Sequence, residues 1–145
     1  LISFFKERTL VQSYINELGV VCPSPEQRVN LLSGGNQQKV VFAKLAATRP
    51  AVLVLHEPTQ GIDVRAKIDI YRIVDELARQ GVAVLIISSE VRELLGVCDR
   101  ILVMYNGKIT AEFKAGEPVT TPENILLTIA GGNINEQKQM DPVYS

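Results

Sequence analysis

Three short stretches hold the residues that could do chemistry. Leu32-Ser33-Gly34-Gly35-Asn36-Gln37-Gln38-Lys39 joins a serine suited to capping a helix with two glycines. Glycine lets a backbone approach a ligand with no Cβ in the way. A helix starting there presents unpaired N–H groups and the positive end of its dipole, the physics of phosphate binding at a helix N-terminus. His56-Glu57-Pro58-Thr59-Gln60-Gly61-Ile62-Asp63 is a polar turn directly after the apolar run 51–55. Ser88-Ser89-Glu90 directly follows the apolar run 82–87. Taken singly, each fits an ordinary cap or a solvated loop, so the elements that position them decide their meaning.

Those elements alternate between helix and strand. Val11, Tyr14, Ile15 and Leu18 form one amphipathic stripe that Gly19 could close, and 22–30 reads as a loop. The run from Gly35 to about residue 48 carries Val40, Val41, Phe42, Ala43, Leu45, Ala46 and Ala47, which predicts a helix buried around most of its circumference. Two continuous apolar runs, 51–55 and 82–87, predict strands covered on both faces. Between them Asp63 should cap a helix that buries Ile70, Ile73, Val74, Leu77 and Ala78. Its water-facing side should carry the ion pairs Asp75 with Arg79 and Arg72 with Glu76. Strand, helix and strand make a parallel βαβ unit, which brings Glu57 and the Ser88-Ser89-Glu90 turn to one sheet edge, where ligands bind in open α/β sheets.

Further along, 90–97 reads as a short helix and 100–104 as a third strand. Asn106-Gly107 signals a tight hairpin that returns along 108–113. Thr121-Pro122-Glu123 is a well-formed helix start, with Ile125, Leu126 and Ile129 as the expected buried face. Residues 132–145 are polar and read as a disordered tail. The fold class is therefore α/β: a parallel-sheet fragment with a C-terminal β-hairpin and helix.

The chain's 145 residues suffice for one real hydrophobic core. Fifteen basic against sixteen acidic residues speak against a nucleic-acid or anionic-lipid surface and favour protein partners. The longest apolar run, 82–87, is far short of the roughly 18 residues a membrane helix requires. Cys22 and Cys98 are widely separated, which fits free thiols in a reducing compartment. A start at Leu1 with no signal pattern suggests a piece of a longer protein.

Leu-Ser-Gly-Gly-Asn-Gln-Gln-Lys resembles the signature sequence of the ATP-binding-cassette ATPases, in the form seen in tandem ATPases of bacterial importers of ribose, galactose and xylose type. The resemblance extends over about 10–131. It includes the strand ending in Glu57-Pro58-Thr59, the Gly61-Ile62-Asp63 turn, the strand ending in Ser88-Ser89-Glu90 and the passage 99–108. It implies a P-loop-NTPase-like sheet and the C-terminal part, 1–131, of a second nucleotide-binding domain. In such proteins two cassettes pack head to tail around ATP and Mg²⁺. Ser33, Gly34 and Gly35 would then touch the γ-phosphate of a nucleotide held by the partner cassette, with Asn36, Gln37 and Asp63 as further cofactor contacts. Glu57 matches the residue that polarises the attacking water, and Ser89 stands beside it in a catalytic role. A second cassette and membrane permease subunits are the implied partners, and the cytoplasmic side of the plasma membrane the implied place.

Three departures weaken the catalytic half of that picture. His56 stands where the family carries an Asp acting on Mg²⁺, and imidazole is a poor ligand for a hard cation; no second ligand points to a metal site of any other kind. Ser89 replaces a common His that contacts the γ-phosphate, and serine cannot carry charge. Nowhere does a G-x-x-x-x-G-K-[ST] loop occur. The chain alone is therefore expected neither to bind ATP tightly nor to hydrolyse it. A non-catalytic, truncated or decayed cassette is the alternative. Chromosome-maintenance ATPases, which share a Ser-Gly-Gly signature, would place long heptad repeats here, and none is present.

Overall fold

The computed structural model describes residues 4–132, so the tail expected at its C-terminus lies, apart from Gly132, outside the described residues. Two units divide at Ile87 and Ser88, and each is taken by itself. In the first, α1 (Phe4–Glu17) starts earlier than its apolar stripe suggests. Gly19 closes it in the left-handed region at φ +60°, and the N–H of Val20 reaches back to the Ile15 carbonyl at 2.9 Å. None of its residues is buried; Tyr14 and Ile15 are half-buried and Val11 is exposed. A single 3-10 turn, Val29–Leu31, leads into α2 (Gly34–Ala47).

The expectation of a helix buried all round is corrected here. Only Gly35, Lys39 and Phe42 of α2 are buried, while Val41 is 46% exposed, because α2 meets its neighbours along one stripe. The parallel strands β1 (Val52–His56) and β2 (Ala83–Ile87) pair in register from Val52 opposite Ala83 to His56 opposite Ile87. Their covered face holds Leu53 and Leu55, which join Phe42 and the α3 residues Ile70, Ile73, Val74 and Leu77 in one core. The opposite face is bare: Val52, Val54, Leu85 and Ile87 are all about half exposed or more. The two-sided covering expected from these apolar runs is thus also corrected, since α2 and α3 cover one side only.

Helix α3 (Val64–Arg79) follows its predicted pattern with two exceptions. Ala78 is exposed rather than buried. The Asp75–Arg79 pair forms at 2.9 Å, but Arg72 lies 3.8 Å from Asp69 instead of pairing with Glu76, which accepts from Gln80 Nε2 at 3.1 Å. Lys39 adds a contact that crosses elements. Its Nζ donates to Asp69 Oδ2 at 2.8 Å and to the Gly19 carbonyl at 3.0 Å, tying the end of α1 and α2 to α3.

In the second unit, α4 (Val91–Val97) precedes the antiparallel pair β3 (Arg100–Tyr105) and β4 (Lys108–Lys114). The turn is of the expected kind, with Asn106 at φ +47° and Gly107 at φ +76°. A bulge between Val103 and Met104 shifts the register. Helix α5 (Pro122–Ile129) is capped by Thr121, whose hydroxyl accepts from the Asn124 N–H at 3.2 Å. Its buried face is Ile125 and Thr128. The expected burial of Leu126 and Ile129 is corrected, since both are exposed and Thr128 is covered with its hydroxyl satisfied on the Asn124 carbonyl at 2.8 Å. No helix among the described residues is long and apolar enough to cross a membrane.

Candidate functional site

The start of α2 is a capped helix N-terminus with backbone donors to spare. Ser33 is extended (φ −62°, ψ 154°), which aims its side chain back over the first turn. Its Oγ accepts from the Asn36 N–H at 3.4 Å and from Asn36 Nδ2 at 3.0 Å. The N–H of Gln37 already bonds the Ser33 carbonyl at 2.9 Å. Among the described residues no acceptor meets the N–H groups of Gly34 and Gly35. These two amides are the orphan donors of the helix N-terminus, where the macrodipole favours negative charge; Gly34 is exposed and Gly35 is buried.

The glycines have separate reasons to be there. A Cβ on Gly34 would stand 3.8 Å from Ile62 Cγ2, an ordinary contact. A Cβ on Gly35 would fall 2.6 Å from the Cβ of Ala66. Gly35 is buried and must lack a side chain so that α2 can close on the first turn of α3. That need is internal packing, which the Ser-Gly-Gly pattern does not disclose. Asn36 and Gln37 are likewise engaged within the protein: Asn36 Oδ1 accepts from the Val21 N–H at 2.8 Å, and Gln37 Nε2 donates to the Leu32 carbonyl at 2.9 Å. Asp63 caps α3, its Oδ1 accepting from the Ala66 N–H at 2.9 Å.

Glu57 stands one residue beyond β1 in a conformation its sequence does not advertise. Its φ is +46°, although a residue before proline ordinarily stays extended. The backbone is held there by its N–H on the Ile87 carbonyl at 2.8 Å and by the Gln60 N–H on its own carbonyl at 3.2 Å. Pro58 and Thr59 beneath it are buried, and the Thr59 hydroxyl lies 3.2 Å from the Tyr71 hydroxyl on α3. Strain of this kind gathers where a side chain must be aimed. His56 is exposed, opposite Ile87 across the strand pair. The structure thus brings Glu57 to the end of β2; Ser89 belongs to the second unit, where the neighbouring Ser88 Oγ accepts from the Glu90 N–H at 3.1 Å.

The Lys39–Asp69 pair escaped the sequence reading. Lys39 is buried, and its hydrogen bond holds the Asp69 carboxyl below the usual aspartate range. The sequence offers only a weak signal for it, a lysine directly before the apolar run 40–43. Among the described residues no cluster of three or more His, Cys, Asp or Glu could hold a metal ion. A mostly apolar cavity of about 230 Å³ lies between α1 and α2, lined among others by Leu10, Tyr14, Val20, Leu32 and Val40.

No model of a known protein family matches the chain. It is 47% identical over 131 residues to the ribose import ATP-binding protein of Caldanaerobacter subterraneus subsp. tengcongensis, covering 90% of this chain and 26% of that protein. To the xylose import ATP-binding protein of Moorella thermoacetica it is 50% identical over 119 residues, covering 82% and 23%. The chain spans about a quarter of the length of these curated relatives. Its fold is similar to the ADP conformation of an ATP-binding cassette of an ABC transporter, with a TM-score of 0.69, 24% identity, and 96% of this chain and 51% of that chain covered. A bacterial ABC transporter cassette solved as a dimer gives a TM-score of 0.68 at 20% identity, with 81% and 50% covered.

Proposed function

The chain belongs to the ATP-binding-cassette ATPases of the sugar-importer type, and from that premise we propose that residues 1–131 are the C-terminal portion of a second cassette in an ATPase subunit that powers sugar import. In this reading the subunit sits on the cytoplasmic side of the membrane against permease subunits. Its Ser33-Gly34-Gly35 turn closes on ATP gripped by a partner cassette. The observation that carries the reading is the pair of unpartnered amides at Gly34 and Gly35, beside the exposed Ser33 and Gly34, with the neighbouring groups already hydrogen-bonded. Such donors fit a phosphate oxygen and need no rearrangement to receive it.

When bound, ATP with Mg²⁺ supplies the phosphoanhydride and the cation that neutralises its charge. This chain's residues supply two different things. The signature turn donates hydrogen bonds to a terminal phosphate, a stabilisation that grows with developing charge. Glu57, whose backbone is held on its strained turn, would accept a hydrogen bond from water at a second and weaker site. His56 makes that second site weak, because an exposed imidazole replaces a carboxylate where Mg²⁺ favours oxygen. The same substitution supports the alternative of a non-catalytic cassette fragment.

The two readings separate in the full-length protein. Ser33→Arg is expected to abolish ATP turnover, since a long side chain fills the turn that must meet the partner's nucleotide. Glu57→Gln is expected to cost much less. Equal losses from both substitutions would contradict the division between a working signature and a weakened catalytic carboxylate, and no loss from either would support the non-catalytic alternative.

A further inference from the structure

The hydrogen bonds around Asn36 fix the direction in which Ser33 can donate. The Val21 N–H can only donate, so the group 2.8 Å away on Asn36 must be its carbonyl oxygen. That settles the orientation of the amide and leaves its NH₂ facing Ser33 Oγ at 3.0 Å. The Asn36 backbone N–H approaches the same Oγ at 3.4 Å. A serine hydroxyl has two acceptor positions and one proton. With both acceptor positions met by donors from Asn36, the O–H must point elsewhere, and Ser33 lies on the exposed side of the turn.

The segment that anchors Asn36 is itself fixed. One helical turn along, Lys39 Nζ donates to the Gly19 carbonyl at 3.0 Å and to Asp69 Oδ2 at 2.8 Å. Val20, between the two tethered positions, is 7% exposed. Gly19 is held by its carbonyl and Val21 by its N–H, both to the same face of α2. The amide of Asn36 therefore cannot turn over without losing a bond to a stationary backbone group.

We infer that Asn36 is a positioning residue that directs the Ser33 O–H outward as a third donor beside the Gly34 and Gly35 amides, and that it is not itself a nucleotide contact. The inference rests on the reading of Ser33 as a phosphate contact. It replaces the cofactor contact that resemblance implies for Asn36, since both ends of that side chain are already engaged within the protein. The substrate group it serves is a terminal phosphate, which accepts hydrogen bonds and offers none when fully ionised.

A mutant cycle on ATP turnover by the full-length protein tests it, with Ser33→Ala, Asn36→Ala and the pair. Losing one hydrogen bond to a charged group should lower turnover about tenfold or more for Ser33→Ala. Asn36→Ala should lower it by a similar factor, and the double variant should lie within about twofold of Ser33→Ala. A merely structural role for Asn36, or a direct contact with nucleotide, would leave its full effect in the Ser33→Ala background and overturn the inference. So would wild-type turnover in Asn36→Ala. Should Asn36→Ala fail to fold, Asn36→Asp keeps the acceptor for Val21 while removing the donor to Ser33; its added charge lowers turnover in both backgrounds, so the expected result is a smaller loss in the Ser33→Ala background than in the wild type, and equal losses would overturn the inference. If Ser33→Ala alone leaves turnover intact, the phosphate-contact reading itself fails, an outcome distinct from additive losses.

Discussion

Replacing Gly35 by alanine tests whether packing against α3 explains that glycine. A Cβ there would stand 2.6 Å from Ala66 Cβ, about 0.8 Å short of ordinary contact. Neither atom belongs to a flexible side chain, so the helices themselves must separate. Overpacking of this sort costs about 1–3 kcal/mol, against which the better helix propensity of alanine returns up to about 1 kcal/mol. The expected net loss is about 1–2 kcal/mol, or a fall in Tm of about 5–10 °C for a unit of this size. Thermal and urea unfolding followed by circular dichroism would measure it. Ala66→Gly alone should also destabilise, by about 1 kcal/mol. Combined with Gly35→Ala it should recover stability, giving a coupling of about 1–3 kcal/mol. Wild-type or greater stability in Gly35→Ala, or strict additivity in the pair, would refute the packing argument.

Other expectations follow from single contacts. Asp69 is held below its ordinary pKa by Lys39, so its contribution is present above the usual aspartate range and lost as pH falls through the depressed value. Acid unfolding of Asp69→Asn should therefore show a flatter pH dependence in that region than the wild type, and parallel curves would count against the pair. Thr121→Ala removes the cap of α5 and should cost the second unit about 1 kcal/mol in urea titrations; an unchanged midpoint would show that the cap contributes nothing. Isothermal titration of this chain alone with micromolar ATP should give no heat of binding, whereas saturation would contradict the argument from the missing phosphate loop.

Much of the local architecture was legible because it rests on local rules. Ser33, Asp63 and Thr121 each cap the helix their sequence position suggests, and Asn106-Gly107 makes its hairpin turn. Apolar periodicity located the α3 stripe but overreached at Ala78, Leu126 and Ile129, because helical phase alone does not say how wide a face its neighbours cover. It failed also for α2 and for the two strands. Their apolar runs read as fully buried, yet Val41, Val52, Val54, Leu85 and Ile87 are exposed. Within the signature, the pattern pointed to the capped, glycine-bearing turn but not to the separate packing and bracing contacts inside it. That Gly35 makes room for Ala66 and Asn36 braces Ser33 depends on residues 15 to 31 positions away, which spacing within a motif cannot show. Nor does any sequence signal announce the left-handed backbone of Glu57 before a proline.

The most direct test follows the amide resonances of Gly34 and Gly35 by ¹⁵N NMR in this chain, with ATP alone and with ATP plus a hydrolysis-deficient cassette carrying an intact phosphate loop. Large shifts at both glycines are expected only in the complete mixture, and they should vanish in Ser33→Arg. Shifts with ATP alone, or undisturbed glycine amides in a mixture shown to form a complex, would contradict the claim that this turn receives a phosphate held by another cassette.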